Sequence, residues 1–190
     1  NAVLNLKQEY GNLFADHVNN QETVIDVNFG KAFIKSMTGG ELKAKQTALL
    51  IDHVEAVSMS NICGSLKVLE ANNSNIQASY TKGYVGKVNE SCKFNVAYSK
   101  HFKLGEIREG VETLEISSSY TNLELPKCSK GKYDLTADTK NTNMVLIEKS
   151  DVQNVSKANA KEQQYIIGNA KAEHATKVQL TSNYGKVEVK

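Results

Sequence analysis

The chain has 190 residues, 40% of them hydrophobic, and a formal net charge of +2 at pH 7. That length suits one domain or one array of repeats, and the apolar share is enough to build a core. Because lysines alternate with acids and Arg108 is the only arginine, no basic footprint for nucleic acid is present. No apolar run reaches the length that spans a bilayer.

A degenerate repeat runs along the chain. The same ten-residue pattern occurs in residues 4–13, 57–66 and 178–187. It has apolar residues at its first, third and tenth positions, Tyr or Cys at the seventh and Gly at the eighth. Keeping that frame gives a reference position every 17 to 22 residues up to Asn141, followed by one step of 43. The nine reference residues are Tyr10, Phe29, Gln46, Cys63, Tyr80, Tyr98, Tyr120, Asn141 and Tyr184, and six of them are aromatic.

Three further columns support this frame. Four residues before the reference, every residue is apolar: Leu6, Ile25, Leu42, Met59, Ile76, Phe94, Ile116, Ala137 and Leu180. Five residues after it, the column is Ala15, Ile34, Ile51, Val68, Val85, Lys103, Leu125, Leu146 and Val189. Only Lys103 is polar there, and a slip of one residue would bring in Leu104. Eight residues after the reference stand Val18, Met37, Val54, Ala71 and Val88.

The spacing predicts strands whose side chains alternate between inside and outside. We expect the reference residue, and the residues two and four positions before it, to face inward. The small residue after the reference should form a corner, and the later columns should line two more sides of the coil. The sequence therefore predicts an all-β, single-domain β-solenoid over residues 1–190. Coils stacked about 4.8 Å apart would number about nine or ten, with a right-handed coil favoured and the handedness left open.

A β-sandwich is the competing fold, because it also has short strands at regular spacing. A sandwich gives no reason for columns to keep register along the whole chain. A helical array is disfavoured, since the apolar spacing is two and the strands are rich in Val, Ile, Tyr and Thr. The first coil begins at Leu4 without a cap, so we expect the native chain to continue upstream or this end to be covered by another chain.

Residues 147–174 are the least regular part of the chain. They are rich in Lys, Asn, Gln and Ala, and a coil built there would bury Lys161 and Gln163. We predict that this segment leaves the solenoid as an irregular excursion, either a hairpin or a flap. Ala175 to Val189 should then return to add the final coil. A recognition loop is the functional interpretation of the segment.

Several of these motifs carry a family resemblance. The recurring Tyr-Gly, the Ser-Ser-Tyr-Thr-Asn-Leu-Glu-Leu run at 118–125 and the Ser-Asn-Tyr-Gly-Lys-Val run at 182–187 resemble bacterial repeat domains of the adhesin type. Those repetitive β-solenoid domains belong chiefly to exported or surface proteins of Gram-negative bacteria. The resemblance covers about residues 3–146 and 175–190. It implies an extracellular, cell-surface or periplasmic protein whose signal segment is not in this chain, and it brings no catalytic residues.

The aromatic reference residues have two interpretations. On the surface they would form a ladder for binding sugars. Because they fall in the predicted inward column, a stacked ladder inside the core is the favoured role. The absence of Trp further weakens a carbohydrate platform.

Two Asp-His-Val triplets, at 16–18 and 52–54, resemble a metal pair. They occupy the same columns two coils apart, hence about 10 Å apart, which is too far for shared ligation. Lys35 lies between Asp16 and Asp52 in one column. This order predicts a surface Asp–Lys–Asp ladder that contributes little energy.

The remaining reactive residues form no recognisable site. The three cysteines show neither a CxxC pair nor metal-ligand spacing, so we expect ordinary small residues and leave a disulfide open: Cys63, Cys92 and Cys128. The acids available for catalysis are scattered, and we expect them on a solvated face: Glu106, Glu112, Asp134 and Asp138. The sequence thus predicts no catalytic, cofactor-binding or metal-binding residues.

Two functions follow from this reading. The favoured one is a non-enzymatic, exported or cell-surface scaffold or adhesion-like binding module. Its partner would be an unidentified protein or glycan, and end-to-end self-association is a further option. The alternative is a carbohydrate-active enzyme on a β-helix, since fold does not fix function. Flat faces would favour the module, and a cleft with converging carboxylates would favour the enzyme.

Overall fold

The computed structural model describes residues 3–127, 133–146, 152–157, 161–167 and 176–190. The first strands are β1 (Asn5–Asn19), β2 (Val24–Thr38), β3 (Glu41–Lys45), β4 (Ala48–Glu55), β5 (Ser58–Ile62), β6 (Ser65–Asn72), β7 (Asn75–Ser79) and β8 (Lys82–Val88). The others are β9 (Cys92–Ala97), β10 (Phe102–Ile107), β11 (Thr113–Leu125), β12 (Tyr133–Leu146), β13 (Val152–Lys157), β14 (Glu162–Ile167) and β15 (Thr176–Val189). Within these ranges there is no helix, and so none that is long and apolar enough to cross a membrane.

The strands stack as parallel coils, which confirms the predicted all-β solenoid. One side of the stack runs β2–β3–β5–β7–β9–β11, and the other runs β2–β4–β6–β8–β10. About six regular turns carry the chain from β1 to β11. This count is lower than the predicted one of about nine or ten, and β15 and β12 add two further layers out of chain order.

The column four residues before the reference forms one wall of the core. The strand register pairs each residue of this column with the corresponding residue of the next coil, without a slip. The five residues predicted to be buried and stacked there are each no more than 2% exposed: Ile25, Ile76, Phe94, Ile116 and Leu180. That part of the repeat frame is confirmed.

An inserted residue makes the coil at β10 irregular. One extra residue in the Lys100–His101 turn moves Phe102 and Leu104 to the inside, while Lys103 is half-exposed. This is the slip of one residue that the sequence indicated. Gly83 in the coil below leaves room for Phe102, since a Cβ at Gly83 would lie 2.2 Å from that ring.

Each regular coil bends once within its longer strand. In β4, Asp52 and His53 both face outward between the buried Ile51 and Val54. Two successive outward residues break the period of two, so the chain turns and Val54 lines a third side of the core. At the N-terminal end, β1 pairs with β2 alone among the described strands, and its inward Leu6 and Leu13 are half-buried. The predicted cover for this end stays a prediction.

The last layers are out of chain order. β15 lies between β11 and β12 and is parallel to both. The prediction that Ala175 to Val189 adds the final coil is therefore wrong in its placement, although β15 does form a coil. β13 and β14 form the predicted hairpin, but β14 pairs antiparallel with β12 and continues the sheet. Residues 147–151, 158–160 and 168–174 lie outside the described part of the chain.

One inward position of the main wall favours this order. β15 presents Leu180, Val187 and Val189 to the large residues of β11, and all three are buried. β12 offers the smaller Ala137 at the equivalent of Leu180, and its Met144 is only half-buried. A gap beside large core residues loses contacts that no neighbour replaces. At this one position of the main wall, the larger side chain therefore lies deeper in the stack.

The end of β15 is anchored by charge. The Lys190 N–H donates to the Leu125 carbonyl at 3.1 Å, and Lys190 Nζ lies 3.0 Å from Glu124 Oε2. Lys103 of β10 bonds the other oxygen of the same carboxylate. The hydrogen bond from Lys103, opposed by burial and aided by the bond from Lys190, holds the pKa of Glu124 below its ordinary value.

Replacing Ile116 by alanine should lower the free energy of unfolding by about 2 to 5 kcal/mol, because it opens a cavity in the main wall of the core. Urea unfolding followed by far-UV circular dichroism measures this loss. Ser117→Ala, at the exposed neighbouring position, is the matched control and should change the midpoint little. Equal losses in the two variants would contradict the assigned inside of β11.

A second prediction concerns pH. A carboxyl whose folded-state pKa is lowered stabilises the fold above its ordinary pKa, and that stability is lost as pH falls through the lowered value. Glu124→Gln should therefore lose less stability than wild type between about pH 7 and about pH 3. Urea midpoints across that range measure it, with the exposed Glu22→Gln as control. Parallel profiles for wild type and Glu124→Gln would refute the anchor.

Candidate binding surface

The reference residues form one corner of every coil. All nine have a φ between 49° and 59°, which is the left-handed region. Their N–H groups still bond the next coil: Tyr80 N donates to Ala97 O at 3.0 Å, and Tyr98 N donates to Ser119 O at 2.9 Å. The corner therefore turns the chain without interrupting the bonds between coils.

This conformation corrects the predicted direction of the column. In the third coil, Lys45 and Gln46 both point outward and Thr47 points inward. A left-handed residue thus shifts the alternation by one, so the residue after the reference is the buried one. The prediction that the reference residues face the core is wrong, because it carried the period of two straight through the corner.

Small polar residues occupy the inside of the corner. Thr81 and Thr121 are each 1% exposed. The Thr81 hydroxyl lies 2.9 Å from the Ser79 carbonyl, to which it donates, and Ser99 Oγ accepts from the Thr81 N–H at 3.3 Å. Buried backbone groups need such partners. The position directly after the reference holds only Gly, Thr and Ser, and this was the one sequence signal that could have located the inner corner.

The aromatic corners stack on the surface. Tyr80, Tyr98, Tyr120 and Tyr184, here called the tyrosine ladder, have ring centroids 4.9 to 5.0 Å apart and planes within 5° of parallel. Their side chains are 44% to 59% exposed. A second pair, Tyr10 and Phe29, stacks at 5.1 Å. The predicted core ladder is therefore wrong, and the alternative of a surface ladder is the one observed.

The stacking decides which parts of the rings a partner can reach. Each inner ring has both faces covered by its neighbours, so the tyrosine ladder presents ring edges and a row of hydroxyl groups. Each hydroxyl can both donate and accept a hydrogen bond. The next outward residues along the coils are small on one side, at Ser79, Ala97, Ser119 and Asn183. On that side, the rings therefore extend beyond the neighbouring side chains.

Two positions interrupt the row of aromatic corners. Gln46 and Cys63 hold the same corner between Phe29 and Tyr80, and both are exposed. Cys63 carries a free thiol. Cys92 is a buried free thiol, and burial raises its pKa to about 11. Cys128 lies outside the described residues.

The Asp-His-Val triplets lie in matching columns, as the repeat predicts. Lys35 Nζ is 2.5 Å from Asp16 Oδ1, and this hydrogen bond lowers the pKa of Asp16 and raises that of Lys35. Asp52 adds a smaller attraction to Lys35. His53 lies 3.8 Å from Glu70 and 3.9 Å from Glu55. Nowhere in the described ranges do three His, Cys, Asp or Glu side chains group so as to hold a metal.

Two of the four candidate catalytic acids share a strand, and the other two lie elsewhere in the stack. Glu106 on β10 pairs with Lys87 at 3.6 Å, and Glu112 precedes β11. Asp134 and Asp138 both lie on β12. Asp138 lines a depression of about 390 Å³ beside β14 and β15, together with Glu162. There Gln164 donates to Asp138 at 2.9 Å, and Lys140 pairs with Glu162 at 3.0 Å, so both carboxylates are already engaged.

The left-handed corner predicts an unusual order of tolerance at Tyr98. Tyr98→Asn should cost about 0 to 2 kcal/mol, since asparagine tolerates this conformation and lost stacking is the main term. Tyr98→Val should cost at least about 1 kcal/mol more, because a β-branched residue is strained there. Urea unfolding measures both variants, and near-UV circular dichroism reports the loss of tyrosine stacking.

Tyr84 is the matched control for that comparison. It lies within strand β8, half-buried and facing outward, with no positive φ. Valine favours strands and asparagine does not, so the order should reverse, with Tyr84→Val the more stable variant. The same order at both positions would contradict the strain assigned to the corner.

Comparison with protein-family models, with curated proteins and with solved structures found no match for this chain. The resemblance to repeat domains of the adhesin type therefore stays a prediction. The fold and the tyrosine ladder are the observations on which a function has to be argued.

Proposed function

We propose that this protein is a non-enzymatic binding module, an exported or cell-surface scaffold of the adhesion type, and that the tyrosine ladder contacts its partner. One observation carries the proposal: four tyrosines stack in register on the outside of a solenoid. Large apolar side chains gathered on a surface commonly mark an interaction site. Tyrosine is also among the residues enriched at interfaces and among those that dominate binding energy.

The ladder is held ready for binding. Each ring is fixed by a backbone corner whose N–H bonds the next coil, and by the rings on either side. Ordering a mobile side chain at an interface costs about 0.5 to 1.5 kcal/mol. A ring that is already stacked avoids much of that cost, so a row of such rings is well suited to bind an extended partner.

The covered ring faces bear on the kind of partner. A sugar ring binds aromatic residues best by lying on a ring face, and the rings of the tyrosine ladder cover each other's faces. Ring edges and hydroxyls instead suit hydrogen bonds and side-on apolar contacts with an extended polypeptide. We therefore favour a protein at the cell surface over a glycan. End-to-end association through the β1 edge remains a further proposal for self-assembly.

The alternative, a carbohydrate-active enzyme on a β-helix, has one feature in its favour. The depression beside β14 holds two carboxylates, Asp138 and Glu162. Both are engaged by neighbouring side chains, so the depression supports an enzyme less well than the ladder supports a binding module. Hydrolysis of polysaccharides that is abolished by Asp138→Asn, with binding at the ladder absent, would favour the enzyme.

The test is a binding screen of the purified chain against matrix proteins and glycans, followed by biolayer interferometry on any partner. Tyr98→Asn should weaken binding roughly tenfold or more, about 1.4 kcal/mol, because it removes a central ring of the ladder while keeping the corner. Tyr84→Asn, on another side of the coil, should bind like wild type. Unchanged affinity in Tyr98→Asn, or an equal loss in Tyr84→Asn, would contradict the assigned surface.

A further inference from the structure

β15 occupies a slot between two strands that are consecutive in the sequence. Residues 126–132 join β11 to β12, yet these strands do not pair with each other. β15 instead pairs with β11 through 113–125 and with β12 through 133–146. In the described part of the chain it has no other strand neighbour. Removing it would break no pairing except its own two.

The two walls of this slot are in register with each other. Leu180 lies opposite Ile116 of β11 and opposite Ala137 of β12, and Gly185 lies opposite Thr121 and opposite Thr142 by the same rule. β11 and β12 therefore align residue for residue across the width of one strand. If β15 leaves, they can meet as ordinary successive coils, since both are parallel and share the corner position. The backbone groups of β11 and β12 that β15 leaves unpaired can therefore bond each other.

The slot is specific for the sequence of β15. Ser118 Oγ and Ser182 Oγ lie 2.9 Å apart and share a hydrogen bond, and Thr142 Oγ1 is 3.0 Å from the Ser182 carbonyl, to which it donates. Any side chain at Gly185 would meet Thr121, since a Cβ there would lie 2.2 Å from that carbonyl oxygen.

Outside the slot, Tyr184 completes the tyrosine ladder against Tyr120. The slot and its corner thus match a small polar residue at position 182, a tyrosine at 184 and a glycine at 185. A second copy of this chain supplies all three.

We propose that β15 is an exchangeable strand, and that the slot between β11 and β12 accepts the β15 of a second copy to give a reciprocally strand-swapped dimer. The swap keeps every contact that β15 makes, because both copies provide the same slot and the same strand. Exchange of an identical element is a low-cost route to a dimer for that reason. The remaining cost is the temporary exposure of Val178, Leu180, Val187 and Val189, which are buried in the slot.

The test uses full-length chains that carry one added thiol each. Ser117 and Thr181 are exposed partners across β11 and β15. A Ser117→Cys chain and a differently tagged Thr181→Cys chain are mixed, both as folded proteins and by refolding together, and are joined with a short bismaleimide. Peptide mapping then finds whether residue 117 of one copy is joined to residue 181 of the other, in a product of twice the 20.9 kDa chain mass.

Ser60→Cys with Gln77→Cys is the matched control. These residues lie in the same column, across β5 and β7 in the middle of the stack, where exchange would require unpairing several coils. We expect the 117–181 product in the refolded mixture at least, and no 60–77 product. The double variant Ser117→Cys/Thr181→Cys should react within one chain, which shows that the two thiols are in reach.

Two results would overturn the proposal. One is reaction within the double variant together with no 117–181 product between chains, either after folded mixing or after refolding. The other is equal yields of the 117–181 and 60–77 products, because that would show association without strand exchange. Neither result depends on whether the tyrosine ladder binds a partner.

Discussion

The rest of the structure depends on the left-handed corner that recurs at the reference position. Placing a side chain in that conformation costs about 1 to 2 kcal/mol per residue, and all nine reference residues adopt it. Three features offset the cost: the corner N–H bonds the next coil, a buried hydroxyl such as that of Thr81 bonds the turn, and the outward rings stack. Each of these needs a neighbouring coil with the same corner. The corner is therefore stable only in an array, which is the physical reason that the repeat persists.

The same corner links stability to the proposed function. Because the left-handed residue points outward, its side chain is free of core packing and is available to a partner. Because the corners stack at the spacing of strands, the rings fall at 4.9 to 5.0 Å and cover each other's faces. The surface that results is rigid and rich in edges and hydroxyls. Gln46 and Cys63 fit the same backbone without a ring, so the aromatic residues at the other corners are not required by the turn itself.

The order of the last layers follows from local fit and not from chain order. Tyr184 against Tyr120 gives an aromatic stack, whereas Asn141 at that place would not. Aromatic pairs add about 0.5 to 1.5 kcal/mol beyond their burial, and the bulk of Leu180 beside Ile116 acts in the same direction. β12 and the hairpin of β13 and β14 then close that end of the stack. A layer with Ala137 and a half-buried Met144 is better placed near an end than in the middle.

The sequence by itself determined the solenoid, its coil length and its core, because the columns that include Ile116, Leu104 and Val54 depend only on a period of two within strands. Three things were decided by the tertiary structure. Whether Tyr98 and the other reference residues point inward or outward depends on one backbone angle, which shifts the inside–outside alternation by one residue. Its only sign in the sequence is the Gly, Thr or Ser that follows each reference residue. The stacking of rings depends on the register between coils. The place of β15 depends on how strands far apart in the chain fit against β11, for example through the stacking of Tyr184 on Tyr120, and no local pattern contains that comparison.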